Sequence, residues 1–252
     1  MAWFEHGTSR IYYEQQGSGD PVLLLPGLTD RIEHHTPLRE ALATAGYRVI
    51  AADLPGSGRS LPQPRRYTAS YYEDDARAFA ALLGHLSVEP AHLLGYSDGG
   101  ETALLMAELS PDITRSVVTW GSAGAIEDPT GQLRHMLHDV VDNPIPPMMD
   151  YSQYLINAYG KDNARATTQS AAAAYGAILD TRAGDISRSK ADTIRCPVLL
   201  IAGEHDPFAT PELIAKLAAR IRNVRVVEAK GDLAHRLSTN TPNGWRRRSV
   251  TG

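Results

Sequence analysis

The sequence predicts an α/β protein with a mostly parallel central sheet, helices on both faces and a helical cap. Three observations predict it. Short, continuous Leu/Val/Ile runs alternate with stretches of helical period, the pattern of strands buried on both faces by crossover helices. A hairpin-like segment opens the chain. A long strand-free stretch then interrupts the alternation, and places a core at 1–121 and 191–252 with a cap at 122–190.

Phe4-Glu5 and Arg10–Glu14, joined across His6-Gly7-Thr8-Ser9, read as the antiparallel hairpin. Pro21–Leu25, Tyr47–Ala52, Ala91–Gly95 and Ser116–Trp120 follow as strands, and Pro197–Ala202 and Val224–Glu228 complete the sheet. Thr36–Ala45, Thr68–Leu86, Gly99–Leu109 and Pro211–Ile221 read as helices. The clearest is Thr68–Leu86, where Tyr72, Ala76, Phe79, Leu82, Leu83 and Leu86 recur near the 3.6-residue period. Between Trp120 and Cys196 the pattern is helical and loop-like, broken by Pro144, Pro146 and Pro147 and alanine-rich at Ser170–Ala177. Ligands of open parallel sheets bind beyond the carboxyl ends of the strands, so an insertion here would roof a pocket.

Composition narrows the function. With 252 residues, 42% hydrophobic and 21% charged, the chain can build one large domain. A net charge of −4 and a single short basic cluster, Arg246-Arg247-Arg248, argue against nucleic acid as a partner. Cys196 is the only cysteine, which excludes an internal disulfide framework or a cysteine zinc cluster. The opening Met-Ala-Trp-Phe-Glu-His lacks a basic region ahead of an apolar run, and no run is long enough to cross a bilayer. A cytoplasmic protein without a membrane partner is expected; oligomeric state is not legible.

The chemistry centres on Gly95-Tyr96-Ser97-Asp98-Gly99-Gly100, between a strand and a helix. Gly-x-Ser-x-Gly in that context displays a serine on a tight turn, and the helix start supplies amide N–H groups and partial positive charge for an oxyanion. Alone the motif is weak, since small polar residues are common at helix starts. A serine nucleophile needs a base, and the base an orienting acid, in the order Ser, acid, His on such a fold. Asp206 follows a buried strand 109 residues after Ser97, and His235 follows the last strand 29 residues later. Individually, Asp206 could be a turn former before Pro207 and His235 a surface histidine; together they fall at strand ends in the required order. Glu204 is the main rival acid, with Glu127 and Asp128 weaker ones. In "VLLLPGLTD", Gly27 permits close backbone approach, so that the Leu28 N–H can join that of Asp98 as an oxyanion donor.

"LLLPG", "DLPGSGRS", "GYSDGG", "VVTWGSAG" and "IAGEHDPF" together resemble an α/β-hydrolase, most similar to the valacyclovir hydrolase-like (biphenyl hydrolase-like) serine esterases. The resemblance covers roughly residues 8–235. It implies the α/β-hydrolase fold and a cofactor-free, metal-free enzyme acting on a small-molecule ester. Ser97 would be the nucleophile, Asp206 the acid, His235 the base, and Leu28 and Asp98 the backbone oxyanion donors. Asp98, Gly27, Tyr96 and Trp120 are the candidate substrate-binding residues. Pro26-Gly27 stands where many relatives have His-Gly. The tail "RLSTNTPNGWRRRSVTG" lacks the period of the long terminal helix usual in the family.

Several features carry two readings. The Asp98 carboxylate either caps its helix toward solvent or points into the pocket to meet a substrate ammonium, as in an α-amino-acid ester. Asp53-Leu-Pro-Gly-Ser-Gly lacks the Lys-Ser/Thr ending of a phosphate loop and reads as a loop at the site mouth. His135, His138 and Asp142 share a helix face that is better read as solvated than as a metal site. His34 and His35 are candidates for the entrance, and Met136, Met148, Met149 and Tyr151 for an adaptable roof. A lactonase, a cofactor-free perhydrolase and a carbon–carbon bond hydrolase are rivals on the same triad. A non-catalytic small-molecule-binding protein is the rival of a different class.

Overall fold

The computed structural model describes residues 2–230. Its centre is one eight-stranded sheet. The strands β1 (Ala2–His6) and β2 (Ser9–Gln16) form the opening hairpin, turning at Gly7 with a positive φ of 56°. Then come β3 (Asp20–Leu25), helix α1 (Thr36–Thr44), β4 (Tyr47–Ala52), α2 (Tyr71–His85), β5 (Ala91–Tyr96), α3 (Asp98–Leu109) and β6 (Thr114–Trp120). Helices α4 (Gln132–Asp139), α5 (Met149–Tyr159) and α6 (Lys161–Arg182) precede β7 (Val198–Gly203), α7 (Pro211–Ala218) and β8 (Val224–Ala229).

The spatial order is β1-β2-β4-β3-β5-β6-β7-β8; β1 with β2 and β2 with β4 pair antiparallel, and every later pairing is parallel. Alternate residues of the central strands divide two apolar layers. Leu23, Leu25, Ile50, Leu93 and Val117 face α2 and α3, and Val22, Leu24, Val49, Ala51 and Leu94 pack with Leu38 and Leu42 of α1. The predicted strands and helices all form, with ends shifted by a few residues. Helix α2 starts at Tyr71 because Ser70 leaves helical geometry at φ −102°, ψ 9°. Helix α7 ends early as its last turn tightens through Arg220 N–H to Leu217 O and Ile221 N–H to Ala218 O.

Segment 122–190 holds helices α4 to α6, and its two ends meet. Ala125 bridges Asp185, Ile126 N–H donates to Gly184 O, and Ile186 N–H donates to Gly124 O. Between these ends Val140, Val141, Met148, Leu155, Tyr159 and Ala164 make a small apolar cluster of their own. Among the described residues no helix is long and apolar enough to cross a membrane.

Candidate active site

Ser97 stands between β5 and α3 with φ 50° and ψ −121°, a conformation that side-chain-bearing residues adopt only under constraint. The constraint is visible. Ser97 N–H donates to Trp120 O at 2.9 Å, while its carbonyl accepts from Gly100 N–H, Glu101 N–H and Ser122 Oγ. The glycines around it are sterically required. A Cβ on Gly99 would lie 2.3 Å from Pro26 O, and one on Gly100 2.1 Å from Ser122 Oγ. Ser97 is half-buried, and α3 directs its N-terminal amides at this turn.

The loop after β3 comes up against the serine. A Cβ on Gly27 would lie 3.2 Å from Ser97 Cβ and 3.2 Å from Tyr96 Cδ1. Among the described residues neither the Leu28 N–H nor the Asp98 N–H is used in a hydrogen bond. Asp206 follows β7, beside this group: a Cβ on Gly121, at the end of β6, would lie 3.6 Å from Asp206 Oδ2 and 3.1 Å from Tyr96 Cε2. Asp206 Oδ1 accepts from Phe208 N–H and Ala209 N–H, both at 2.9 Å, while Oδ2 has no donor among the described residues. His235 lies outside the described residues. The structure thus gathers Gly27, Leu28, Tyr96, Ser97, Asp98 and Asp206 at the carboxyl ends of β3, β5, β6 and β7.

Asp98 does not face solvent. It is 3% exposed and makes no cap bond of its own. Tyr71 donates to Oδ2 at 2.9 Å, and Tyr72 and Tyr175 donate to Oδ1 at 3.0 Å. Burial raises its carboxyl above the ordinary range, and the three phenol bonds with nearby Arg65 pull it partly back. Arg65 is itself committed to a buried bidentate pair with Asp75, at 2.8 and 2.6 Å. These partners come from α2 and α6, far from Asp98 in sequence, and no local motif signals them.

Trp120 stands back from the surface, 2% exposed in the α1-side layer, with its ring stacked at 5.9 Å on that of Tyr96. His35 is fully buried in the same cluster instead of lining an entrance. Its Nε2 and His34 Nδ1 share the Asp30 carboxylate. Burial would raise that carboxyl, but the two histidine bonds hold it well below the usual carboxylate range. Asp53 is likewise structural: its oxygens accept from Ile32 N–H and Arg59 N–H and tie two loops together. Glu127 pairs with Arg188 and Lys216, and Asp128 caps α4 through Leu133 and Arg134 N–H. His135 and His138 sit exposed beside Asp139, Asp142 pairs with Arg165, and no metal-binding group of three ligands occurs among the described residues.

Sequence reading missed Tyr154 and Tyr159 of α5 and gave Tyr151 only a place in an adaptable roof. Tyr154 and Tyr159 donate to Thr29 O at 2.8 and 2.6 Å, and Tyr151 meets Thr29 Oγ1 at 2.6 Å. Only their aromatic recurrence at 151, 154 and 159, near helical spacing, hinted at a shared target.

Comparison with known proteins agrees with this fold. The family model described as alpha/beta hydrolase fold matches residues 20–147. Human serine hydrolase BPHL is 30% identical over 202 residues, covering 79% of this chain and 68% of that protein. A 2-hydroxy-6-oxononadienedioate/2-hydroxy-6-oxononatrienedioate hydrolase of Burkholderia vietnamiensis is 37% identical over 123 residues, 46% of this chain and 42% of its own. Among solved structures, the enol-lactonase from Burkholderia xenovorans LB400 superposes with a TM-score of 0.69 at 24% identity, covering 90% of this chain and 91% of that one, and so shares the fold. By its family match, its relatives and its sheet, this chain belongs to the α/β hydrolase fold family.

Proposed function

We propose that the chain is a serine hydrolase cleaving small carboxylic esters, α-amino-acid esters among them, through an acyl-enzyme. The observation that carries the reading is Ser97 itself, held at φ 50° at the start of α3 between glycines that admit no side chain. A conformation this costly is kept where display of the hydroxyl matters.

In this scheme His235 removes the Ser97 proton as Oγ attacks the ester carbonyl. The oxyanion is met by the Leu28 and Asp98 N–H groups, and Asp206 Oδ2 orients the imidazole. The alcohol leaves with a proton from His235; the same histidine then activates water to release the acid and free serine. Segment 122–190 serves as the cap over the substrate, with Gly27 and Tyr96 along its path and Trp120 supporting Tyr96 from beneath. The name of the human relative, a serine hydrolase, supports this class.

Asp98 speaks to the substrate. Its three phenol donors leave one of roughly four acceptor positions on the carboxylate open. Arg65, whose charge acts on Asp98, is already paired with Asp75, so a substrate ammonium would supply a direct countercharge. A carbon–carbon bond hydrolase is the second reading, favoured by the shorter match to the Burkholderia vietnamiensis enzyme.

The test is a substrate panel on the full chain: α-amino-acid esters, their N-acylated counterparts, plain acyl esters and a vinylogous 1,5-diketone acid. Ester turnover with a free-ammonium preference is expected, and Asp98→Asn should erase that preference. Equal rates on free and acylated esters would remove Asp98 from substrate binding. Turnover of the diketone alone would overturn the esterase reading.

A further inference from the structure

Resting on the hydrolase reading above, we propose that tyrosine hydroxyls of segment 122–190 position both oxyanion donors, so that Tyr154, Tyr159 and Tyr175 are positioning residues for the reaction. Each donor has its own tether. Leu28 is followed by Thr29, a buried β-branched residue at φ 56°. A β-branched residue persists in that region only where its surroundings hold it.

Every polar atom of Thr29 is engaged. Its N–H donates to Ser57 Oγ at 3.1 Å, and its Oγ1 donates back to Leu28 O at 2.6 Å. With that hydroxyl proton spent, Tyr151 must be the donor in its 2.6 Å contact with Thr29 Oγ1. The Thr29 carbonyl accepts from both Tyr154 and Tyr159, and Tyr159 also accepts from Gly58 N–H at 2.8 Å. Burial pushes the phenols of Tyr151, Tyr154 and Tyr159 up, which keeps them protonated as donors. The second donor, Asp98, is held by Tyr175 of α6 together with Tyr71 and Tyr72 of α2.

A roof that merely enclosed substrate would need apolar contact there, and phenylalanine would serve as well as tyrosine. Convergence of three hydroxyls on the residue after Leu28, and of another on Asp98, instead fixes backbone position. Donors act only when they stand where the oxyanion forms, so an ångström of slack is expensive.

The experiment compares the full chain with Tyr154→Phe/Tyr159→Phe, with Tyr175→Phe, and with Arg182→Gln. Arg182 ties α6 to Glu73 and Ala69 O without touching either donor. Hydrolysis of p-nitrophenyl butyrate gives kcat and KM, and an alkyl trifluoromethyl ketone reports affinity for a tetrahedral adduct. The expected result is a kcat lowered about tenfold or more in the tyrosine variants, with KM within about twofold and ketone affinity reduced in proportion to kcat. Arg182→Gln should keep kcat. Thermal melts check folding, and if the double variant unfolds, the single Tyr154→Phe and Tyr159→Phe variants should show smaller losses of the same kind. Unchanged kcat with a raised KM, or an equal kcat loss in Arg182→Gln, would overturn the positioning role. Fluorophosphonate labelling separates the two failures. An intact wild-type chain unlabelled at Ser97 overturns the hydrolase reading and this proposal with it. Labelling at Ser97 with full kcat in the tyrosine variants overturns only the positioning.

Discussion

A Cβ on Gly95 would lie 2.3 Å from the carbonyl oxygen of Gly99, so strand β5 and helix α3 meet with no room for even a methyl group. The obstructing atoms are backbone and cannot rotate away. Gly95→Ala should therefore cost about 3 kcal/mol, at the upper end for overpacking, with a corresponding loss in thermal midpoint. A midpoint within a degree of the parent would show that the elbow yields more readily than this contact requires.

Under the proposed function, Ser97 sets activity against stability. Ser97→Gly should remove the left-handed strain at φ 50° and stabilise the chain by about 1 kcal/mol, while abolishing ester hydrolysis. Ser97→Ala should lose activity by about 10⁴-fold or more without that gain. Parallel denaturant melts and rate assays on the two variants check both halves.

In the proposed triad, Asp206 divides its oxygens between structure and orientation. Oδ1 holds the Phe208 and Ala209 amides, a role that an asparagine oxygen can take over. Under the proposed mechanism Asp206→Asn should thus melt near the parent yet lose about 10³- to 10⁴-fold in kcat, because an amide N–H₂ in place of the proposed acid would stabilise the wrong histidine tautomer. A small rate loss would pass the acid role to Glu204.

Glu101 makes stability pH-dependent. Its Oε1 accepts from Ala123 N–H at 2.9 Å and Gly124 N–H at 3.0 Å, and burial pushes its carboxyl up to about 7. The folded state therefore holds this proton more tightly than the unfolded chain does. Its contribution to stability is fully present below the ordinary glutamate pKa and is lost as pH rises through about 7. Glu101→Gln keeps the acceptor and removes the titration, so it should flatten stability between pH 5 and 8 relative to the parent, and urea melts across that range measure it.

The sheet was legible because its strands are short apolar runs buried on both faces, and helix α2 because its apolar positions follow a 3.6-residue period; both are local patterns. The neighbourhood of Ser97 was legible for the same reason, since Gly95, Gly99 and Gly100 answer to steric demands within a few residues. The position of Asp206, just past β7, was readable from the buried strand before it. The burial of His35 was not legible, because proximity in sequence to the loop after β3 does not reveal it. His35 in fact lies under Tyr96 and Trp120.

By itself, then, the sequence determined the order of strands and helices, the serine at the turn between β5 and α3, and the aspartate that follows β7. Only the tertiary structure decided what surrounds Asp98 and Thr29. Their partners sit on α2, α5 and α6, up to 130 residues away, and a hydroxyl–carboxylate or hydroxyl–carbonyl bond leaves no periodic trace in the chain. Such contacts exist because the parallel sheet brings the carboxyl ends of β3, β4 and β5 together beneath one insertion. Close packing then leaves each buried acceptor to whichever donor the fold delivers.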